Sequence, residues 1–294
     1  MKFLANEKDV AKLFLPKQKD SHKGTFGTLV IIGGCQKYAG APYLASLGAS
    51  ALRVGTGITK IAVPQFLVSA LQHRVTECTI FPLNDKDGYI CFDQKQFEEL
   101  TQKTTAIICG MGIGDTEQTK QVVEFLTNNA TCPLLFDADA INAISKDASI
   151  LQGHKQPIIL TPHIGEMARL TGLDTCFIKQ NKEQVAKDFA QKYNVIVHLK
   201  DSQSITTNGV DIAINTTGTP AMAKGGSGDL LAGIIGGLLA RGILPFESTF
   251  AGAYIAGKAA EQAVEQSNEY SLLPSESAKE VAHVVTDLIK NNSI

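Results

Sequence analysis

A glycine-rich segment that ends in an acid is the strongest candidate for a chemical site in this chain. Residues 224–229 read Lys-Gly-Gly-Ser-Gly-Asp and lead directly into an apolar stretch, Leu230 to Ala240. Glycines before a helix leave backbone N–H groups uncovered, and the helix dipole adds partial positive charge there, so the segment favours an anion such as phosphate. A carboxylate at Asp229 would repel phosphate oxygens unless a metal or a proton transfer accounts for it. Asp229 is therefore either a plain helix-start residue or a functional acid.

The other candidates share one position, because each comes directly after a predicted strand. They are Gly33 with Gly34, the segment 110–115 (GMGIGD), Asp137 with Asp139, His163 with Glu166, and Lys200. In open α/β sheets, ligands bind at the carboxyl ends of the strands. We therefore expect these residues to lie at one edge of a sheet and to act together.

Each of these signals also has a purely structural interpretation. The segment 110–115 lacks the spacing of a dinucleotide fingerprint, which favours a plain strand-to-helix turn. Asp137 and Asp139 either cap the next helix or hold Mg²⁺ through water. His163 fits a helix-start capping pattern and could also bind a ligand. Lys200 is well placed to meet a phosphate.

Short apolar runs predict the strands that position these residues. Six runs predict strands: 28–32, 58–63, 104–109, 133–137, 158–160 and 195–199. The first is continuously apolar, which predicts a strand buried on both faces. The segment 204–215 contains Asn208-Gly209 between alternating runs and predicts a β-hairpin. Helices are predicted near 42–54, from the end of the segment 110–115 to about 129, and at 230–240, 246–266 and 275–291. Residues 1–23 predict a short helix and a polar connector. This alternation predicts one α/β domain, residues 1–294, with a mostly parallel central sheet and helices on both faces.

The helix that follows the glycines has two further features. It carries no charge on any face from Leu230 to Ala240, so we predict that it is buried on all sides, and it is too short to span a membrane. Small residues recur every four positions and form one flank where another element can approach closely: Gly228, Ala232, Gly236 and Ala240.

Composition excludes several classes of function. The chain has 294 residues and a formal net charge of −2, which gives no case for nucleic acid or an anionic membrane as a partner. The first residues lack a signal-peptide hydrophobic region. Six scattered cysteines form no CxxC pair, and the six histidines do not cluster, so we predict a reduced, cytoplasmic protein without a zinc site.

Several motifs, taken together, resemble one family. HKGTFGTLVIIGG with YAGAP, FDADAIN, LTPHIGEMARL and KGGSGDLLAG occur in order between about residues 22 and 233. They are similar to those of the ADP- or ATP-dependent NAD(P)H-hydrate dehydratases, which are carbon–oxygen lyases of the ribokinase-like superfamily. The resemblance implies a single-domain ribokinase-like three-layer sandwich.

The resemblance also implies a reaction and a set of site residues. Such enzymes repair hydrated NADH or NADPH (the S epimer): a nucleotide phosphorylates the added hydroxyl, and elimination of phosphate restores the reduced dinucleotide, with Mg²⁺ as cofactor. Asp229 matches the base. The hydrated dinucleotide would contact Ala41, Gly112, His163 and Asp229. ADP or ATP would contact Lys200, Asp201, Ser202, Gln203, Ser204, Gly225, Gly226, Ser227 and Gly228.

Two positions depart from the usual pattern of that family. Ser227 stands where threonine is common, and either hydroxyl can serve. Ile164 replaces the proline of HPGE, which bears on the rigidity of that loop. The chain is expected to hold the dehydratase part alone, with a separate epimerase as a possible partner. A homotetramer is implied by the family, whereas a preference for ADP or ATP, or for either hydrate, is not.

Two other functions compete with this interpretation. A small-molecule kinase of the same superfamily would use the same glycine helix and the same Asp229, but YAGAP and TPHIGE resemble dinucleotide loops. A non-catalytic nucleotide-binding regulator would gain nothing from an acid beside bound phosphate. Release of inorganic phosphate separates the dehydratase from the kinase.

Overall fold

The computed structural model describes residues 1–15, 17–49 and 53–291. Within these residues the chain forms twelve strands: β1 Lys2–Ala5, β2 Thr28–Ile32, β3 Ile58–Pro64, β4 Thr79–Leu83, β5 Asp85–Lys86, β6 Tyr89–Ile90, β7 Ala106–Cys109, β8 Leu134–Phe136, β9 Ile158–Leu160, β10 Ile196–Leu199, β11 Ile205–Thr207 and β12 Ile212–Asn215. The same residues form twelve α-helices: α1 Glu7–Ala11, α2 Ala41–Ala49, α3 Val68–Gln72, α4 Gln94–Thr101, α5 Glu117–Asn129, α6 Asp139–Lys146, α7 Ile164–Thr171, α8 Thr175–Gln180, α9 Lys182–Tyr193, α10 Ser227–Ala240, α11 Pro245–Glu265 and α12 Pro274–Asn291.

Ten of the strands form one central sheet in the order β1-β12-β11-β10-β9-β8-β7-β2-β3-β4. All neighbours are parallel except β11, which is antiparallel to both β10 and β12. The order reverses between β2 and β7, since β3 and β4 extend the sheet one way and β8 to β10 extend it the other way. Such a reversal opens a crevice at the carboxyl ends of the strands.

The period-2 alternation of the strands divides the core into two layers. Val30 and Ile32 face a core completed by α4 to α9, whereas Leu29 and Ile31 face a core completed by α1, α2 and α10 to α12. The predicted three-layer α/β architecture is therefore confirmed. No helix within the described residues is both long enough and apolar enough to cross a membrane.

Helix α10 lies against the sheet as the sequence predicts. Each residue from Leu230 to Ala240 is buried. A Cβ added at Gly236 would lie 2.6 Å from Ile108 Cγ2 and 3.1 Å from Leu29 Cδ1, so only glycine permits this close approach. The carbonyl of Ala240 accepts a hydrogen bond from Thr105 Oγ1 at 3.0 Å. The small-residue flank thus faces the central strands.

Several elements differ from the sequence-based predictions. The hairpin at 204–215 is confirmed as β11 and β12. The first strand, β1, was not predicted; it pairs in parallel with β12, about 210 residues further along the chain. Strand β4 and the small β5–β6 hairpin were also missed. The predicted helix near 42–54 is observed as α2 to Ala49, and its positions 50–52 lie outside the described residues.

Candidate active site

The start of α10 is an uncapped glycine turn. Gly226 is the residue before the helix and has φ +97°, and no side chain caps the first turn. A Cβ at Gly226 would lie 2.5 Å from Leu44 Cδ1, whereas a Cβ at Gly225 would meet nothing within 4 Å. Gly226 therefore makes the left-handed turn and packs against α2, and Gly225 leaves the backbone open to an incoming group.

The lysine beside this turn is a structural anchor. Lys224 Nζ donates hydrogen bonds to the carbonyls of Tyr270 at 2.5 Å and Leu272 at 2.7 Å. Both carbonyls belong to the segment between α11 and α12. The ammonium therefore ties the glycine turn to that segment, and its donors are engaged within the protein. Nothing in the sequence distinguished this lysine from one that binds phosphate.

Asp229 is the third residue of α10 and lies in its first turn, as the helix-start interpretation requires. Burial, and next the negative charge of Asp137, raise the pKa of Asp229 to about 7, although the charge of Lys200 opposes this. A carboxylate that merely stabilised the helix start would have a lowered pKa instead. A half-buried carboxyl group that titrates near neutral pH has the proton affinity that a general base requires.

Lys200 brings a positive charge to the same place. Its Nζ lies 2.8 Å from Asp137 Oδ1 and 3.9 Å from Glu166 Oε2. Burial alone would lower the pKa of Lys200, but the two carboxylates outweigh burial and raise it, so the ammonium stays charged. An added Cβ at Gly228 would lie 3.6 Å from both Lys200 Nζ and Asp137 Oδ2, which places this ion pair directly beside the first turn of α10.

The turn after β8 presents Asp137 to this site through strained backbone. Ala138 has φ +49° and ψ −115°, a conformation that residues other than glycine rarely adopt. A Cβ at Gly110, the residue after β7, would lie 1.9 Å from the Asp137 carbonyl oxygen, so the two turns pack backbone to backbone. Neither Asp137 nor Asp139 caps α6 by its side chain. The carboxylate of Asp139 instead accepts a hydrogen bond from the Gly114 N–H at 2.8 Å.

His163 and Glu166 form the predicted capping box at the start of α7. The His163 N–H donates to Glu166 Oε2 at 2.8 Å, and the Glu166 N–H donates to His163 Nδ1 at 3.2 Å. The Lys200 N–H donates to the Pro162 carbonyl at 2.8 Å, which places β10 beside this turn. The box is complete although Ile164 replaces proline, and the His163 side chain stays 54% exposed and accessible to a ligand.

The remaining predicted site residues fall into two groups. Gly112 has φ +63°, and a Cβ there would lie 3.1 Å from Ala41 Cβ, so these two candidates are neighbours. The loop after β10 contains Lys200 to Ser204, where Lys182 Nζ donates to Asp201 Oδ2 at 3.1 Å and to the Gln203 carbonyl at 2.7 Å. Ser202 and Gln203 are exposed in this loop. The structure thus brings Lys200, Gly228 and Asp229 together and places Gly112 beside Ala41.

Within the described residues, the side chains form no metal-binding cluster and the cysteines form no disulfide. Among residues 1–15, 17–49 and 53–291 no group of three or more His, Cys, Asp or Glu side chains could hold a metal ion. All six cysteines are free thiols.

His198 is buried next to the site, where burial lowers its pKa to about 3, and its Nδ1 lies 2.9 Å from Thr206 Oγ1. It is therefore a neutral core histidine.

The fold and the site define a class of protein first. The open glycine turn, the acid in the first turn of α10 and Lys200 after β10 lie together at the carboxyl edge of a ten-stranded sheet. This architecture is that of a ribokinase-like fold. Consistent with this fold, the hydroxyethylthiazole kinase structure from Pyrococcus horikoshii aligns over 97% of this chain with a TM-score of 0.62 at 14% identity.

Sequence comparison then identifies the family. The profile of the NAD(P)H-hydrate dehydratase family matches residues 29–282, and the chain belongs to this family. The ADP-dependent (S)-NAD(P)H-hydrate dehydratase of Bacillus subtilis is 31% identical over 96% of this chain and 95% of its own length. The corresponding enzyme of Neisseria meningitidis is 32% identical over 85% of this chain and 81% of its own length.

Two further comparisons set the extent of this similarity. The crystal structure of the ADP/ATP-dependent NAD(P)H-hydrate dehydratase from Bacillus subtilis, co-crystallised with ATP and Mg²⁺, has a TM-score of 0.84 at 29% identity and covers 97% of this chain and 98% of that chain. The bifunctional NAD(P)H-hydrate repair enzyme of Moorella thermoacetica is 32% identical over 93% of this chain. The chain spans about half the length of such bifunctional relatives, 52% in this case.

Proposed function

We propose that the protein dehydrates the S epimer of hydrated NADH or NADPH, using ADP or ATP as the phosphoryl donor. The observation that carries the proposal is the position of Asp229. Its carboxyl group titrates near pH 7 and is the third residue of a helix that begins with an open glycine turn. This supports the proposal, because transfer of a phosphoryl group to a hydroxyl requires an anion site next to a base.

The proposed reaction has two steps. In the first, Asp229 takes the proton of the hydroxyl on the hydrated nicotinamide ring while that oxygen attacks the terminal phosphorus of the nucleotide. ADP then leaves as AMP, or ATP as ADP. In the second step, the phosphorylated oxygen leaves the ring carbon as inorganic phosphate, a proton is lost from the adjacent ring position, and the double bond of the reduced nicotinamide is restored.

The chain offers a group for each part of this transfer. Gly225, Gly226, Ser227 and Gly228 would donate backbone N–H groups to the transferring phosphoryl group, and Lys200 would balance its charge. The loop from Lys200 to Ser204 would bind the nucleotide. Ala41, Gly112 and His163 would contact the hydrated dinucleotide, with the exposed imidazole of His163 at a helix start turned to solvent.

Mg²⁺ is proposed as the cofactor, and it would enter with the nucleotide. Because no side-chain cluster among the described residues could hold a metal ion, the phosphate oxygens would supply most of its ligands. One lysine cannot balance a diphosphate or triphosphate, and the metal supplies the remaining positive charge. Excess chelator is therefore expected to abolish turnover. Full activity in chelator would contradict the requirement.

The proposal is tested by incubating the protein with hydrated NADH or NADPH, Mg²⁺ and each nucleotide in turn. Return of the absorbance of the reduced nicotinamide is expected with ADP, with ATP or with both. No return with either nucleotide would overturn the proposal. The homotetramer, the cytoplasmic location and a separate epimerase partner stay predictions; light scattering on the purified protein tests the first of them.

A further inference from the structure

One charged group at the site has no role in the proposed reaction. Asp137 is 3% exposed, and its carboxylate is paired with Lys200 Nζ at 2.8 Å. Glu166, the second carboxylate near that ammonium, is also needed for the capping box of α7. Asp137 caps nothing. A buried carboxylate is costly, so its position beside Lys200 and Gly228 requires an explanation.

We propose that Asp137 is a positioning residue of the reaction: it holds the Lys200 ammonium beside the first turn of α10 and keeps a negative charge close to Asp229. This inference rests on the proposed function, since it concerns the base and the cation of that site. Asp137 does not touch the reacting atoms. It acts through Lys200 and through its field at Asp229.

The backbone around Asp137 is built to hold this side chain in one place. Ala138 has φ +49°, and such a conformation costs of the order of 1–3 kcal/mol and persists only where the surroundings enforce it. The Asp137 N–H donates to the Cys109 carbonyl at 3.1 Å, and the Asp139 N–H donates to the Gly110 carbonyl at 3.3 Å. The turn is therefore bonded on both sides of Asp137 to the end of the neighbouring strand β7.

The charges that reach Asp229 are few. They are the carboxylate of Asp137 and the ammonium of Lys200, which act in opposite directions: the first raises the pKa of Asp229 and the second lowers it. The elements packed on α10 are α2, α11, α12, β2 and β7, and among the described residues Asp137 and Lys200 are the charged groups that shift the pKa of Asp229. His198, near Lys200, is neutral because burial lowers its pKa to about 3. Burial makes the largest contribution to the raised pKa of Asp229, and these two groups of opposite sign adjust it in opposite directions.

This arrangement predicts shifts of opposite sign in two variants. Asp137→Asn removes the negative charge, so the acid limb of the kcat/KM profile for the hydrate should move to lower pH by roughly one unit. Lys200→Met removes the positive charge, so the limb should move to higher pH and the KM for the nucleotide should rise. Asp139→Asn is the matched control: its carboxylate accepts a hydrogen bond from the Gly114 N–H, and the limb should stay in place.

A direct titration separates this inference from the proposed function. The ¹³C resonance of the Asp229 carboxyl, assigned by its loss in Asp229→Asn, is followed against pH in the nucleotide-free protein. The pKa of Asp229 should be lower in Asp137→Asn and higher in Lys200→Met than in the parent, whether or not the hydrate is a substrate. If the parent protein fails to convert either hydrate, the proposed function is wrong, but this titration still decides the inference.

The inference is overturned by a resonance of Asp229 that titrates alike in the parent and in Asp137→Asn, or by an equal shift in the Asp139→Asn control. Circular dichroism checks that each variant is folded. Should Asp137→Asn fail to fold, the test rests on Lys200→Met. If Asp229 in that variant does not titrate at higher pH than in the parent, the Asp137 carboxylate and the Lys200 ammonium do not act on Asp229 in opposite directions.

Discussion

The two parts of helix α10 differ in nearly every physical property. From Leu230 to Ala240 every residue is buried, and the helix carries no charge. The first turn, Ser227 to Asp229, is partly exposed and holds an acid whose pKa burial raises to about 7. Each of the six buried leucines and isoleucines between Leu230 and Ala240 contributes about 1.5–3 kcal/mol to stability. Asp229, in contrast, costs stability whenever it is ionised.

This contrast indicates how one element can serve stability and chemistry together. The apolar part fixes α10 against the sheet, where Gly236 permits contact with Leu29 and Ile108. That contact fixes where the first turn lies relative to Lys200. A destabilising charge at Asp229 is then tolerated because its position is maintained by packing elsewhere. Function and stability are therefore expected to respond to different substitutions along the same helix.

The largest effect is expected for Asp229→Asn on turnover. The substitution keeps the size of the side chain and removes the carboxylate that we propose as the base, and a positioned base contributes about 10²–10⁴-fold. Turnover of hydrated NADH should fall by at least the lower figure, while nucleotide affinity holds or improves because a negative charge beside the phosphates is gone. Steady-state kinetics and calorimetric titration with ADP or ATP measure the two. Turnover within a few-fold of the parent would mean that Asp229 is not the base.

The next effect is expected for Gly228→Val on nucleotide affinity. A Cβ at Gly228 has room, at 3.6 Å from Asp137 Oδ2 and Lys200 Nζ, but the two γ-methyl groups of valine would enter the space between the ion pair and the phosphates. Affinity for ADP or ATP should fall by about tenfold or more. Gly228→Ala is the matched control and should bind closer to the parent. Unchanged affinity in a folded Gly228→Val protein would place the phosphates elsewhere.

In the apolar part the corresponding change is Gly236→Val. A Cβ there lies 2.6 Å from Ile108 Cγ2, so the variant overpacks the core and should lose about 2 kcal/mol of unfolding free energy. The control is Gly40→Ala, where an added Cβ meets nothing within 4 Å. Denaturant unfolding of the two variants and the parent measures this. Equal stability of all three would show that α10 does not pack tightly on the sheet.

The smallest effect is expected for Asp229→Asn on stability. In the unfolded chain the carboxyl group ionises near its ordinary pKa of 3.8, whereas in the folded protein it ionises near 7. The parent therefore loses stability as the pH rises from about 4 to about 7, and the asparagine variant does not. The variant should equal the parent near pH 4 and be more stable above pH 7, by at most about 4 kcal/mol for a shift of about three pKa units and by less because the side chain is partly solvent-exposed. Urea unfolding at both pH values checks this; a variant that is less stable at pH 8 contradicts the raised pKa.

Much of the architecture could be predicted from local pattern. The central strands are buried on both faces of the sheet, so they appear in the sequence as apolar runs. Asn208-Gly209 indicated the turn between β11 and β12. The first strand, β1, could not be predicted in the same way. Its four residues gain strand structure only by pairing with β12, more than 200 positions later, and no local signal carries such a contact.

In the candidate site, too, some features could be predicted from local sequence pattern and others depend on contacts between distant segments. Lys200 and His163 were candidates because each follows a predicted strand, and Asp229 was a candidate because it follows the glycine segment at the start of a helix. The pairing of Asp137 with Lys200, and the anchoring of Lys224 on the Tyr270 and Leu272 carbonyls, depend on distances between remote segments. The raised pKa of Asp229 is likewise a product of burial, which a sequence does not display. Sequence patterns therefore supplied the candidate residues, whose roles stay predictions, and the three-dimensional packing supplied the contacts between them.

The central claim is that the phosphoryl group placed on the hydrate leaves again within the same active site. It is tested most directly by counting products in one reaction with hydrated NADH, Mg²⁺ and the preferred nucleotide. We expect one inorganic phosphate and one reduced nicotinamide for each nucleotide consumed, with no phosphorylated hydrate accumulating. A stable phosphorylated product, formed without release of inorganic phosphate or return of the nicotinamide absorbance, would make the protein a kinase and contradict the account.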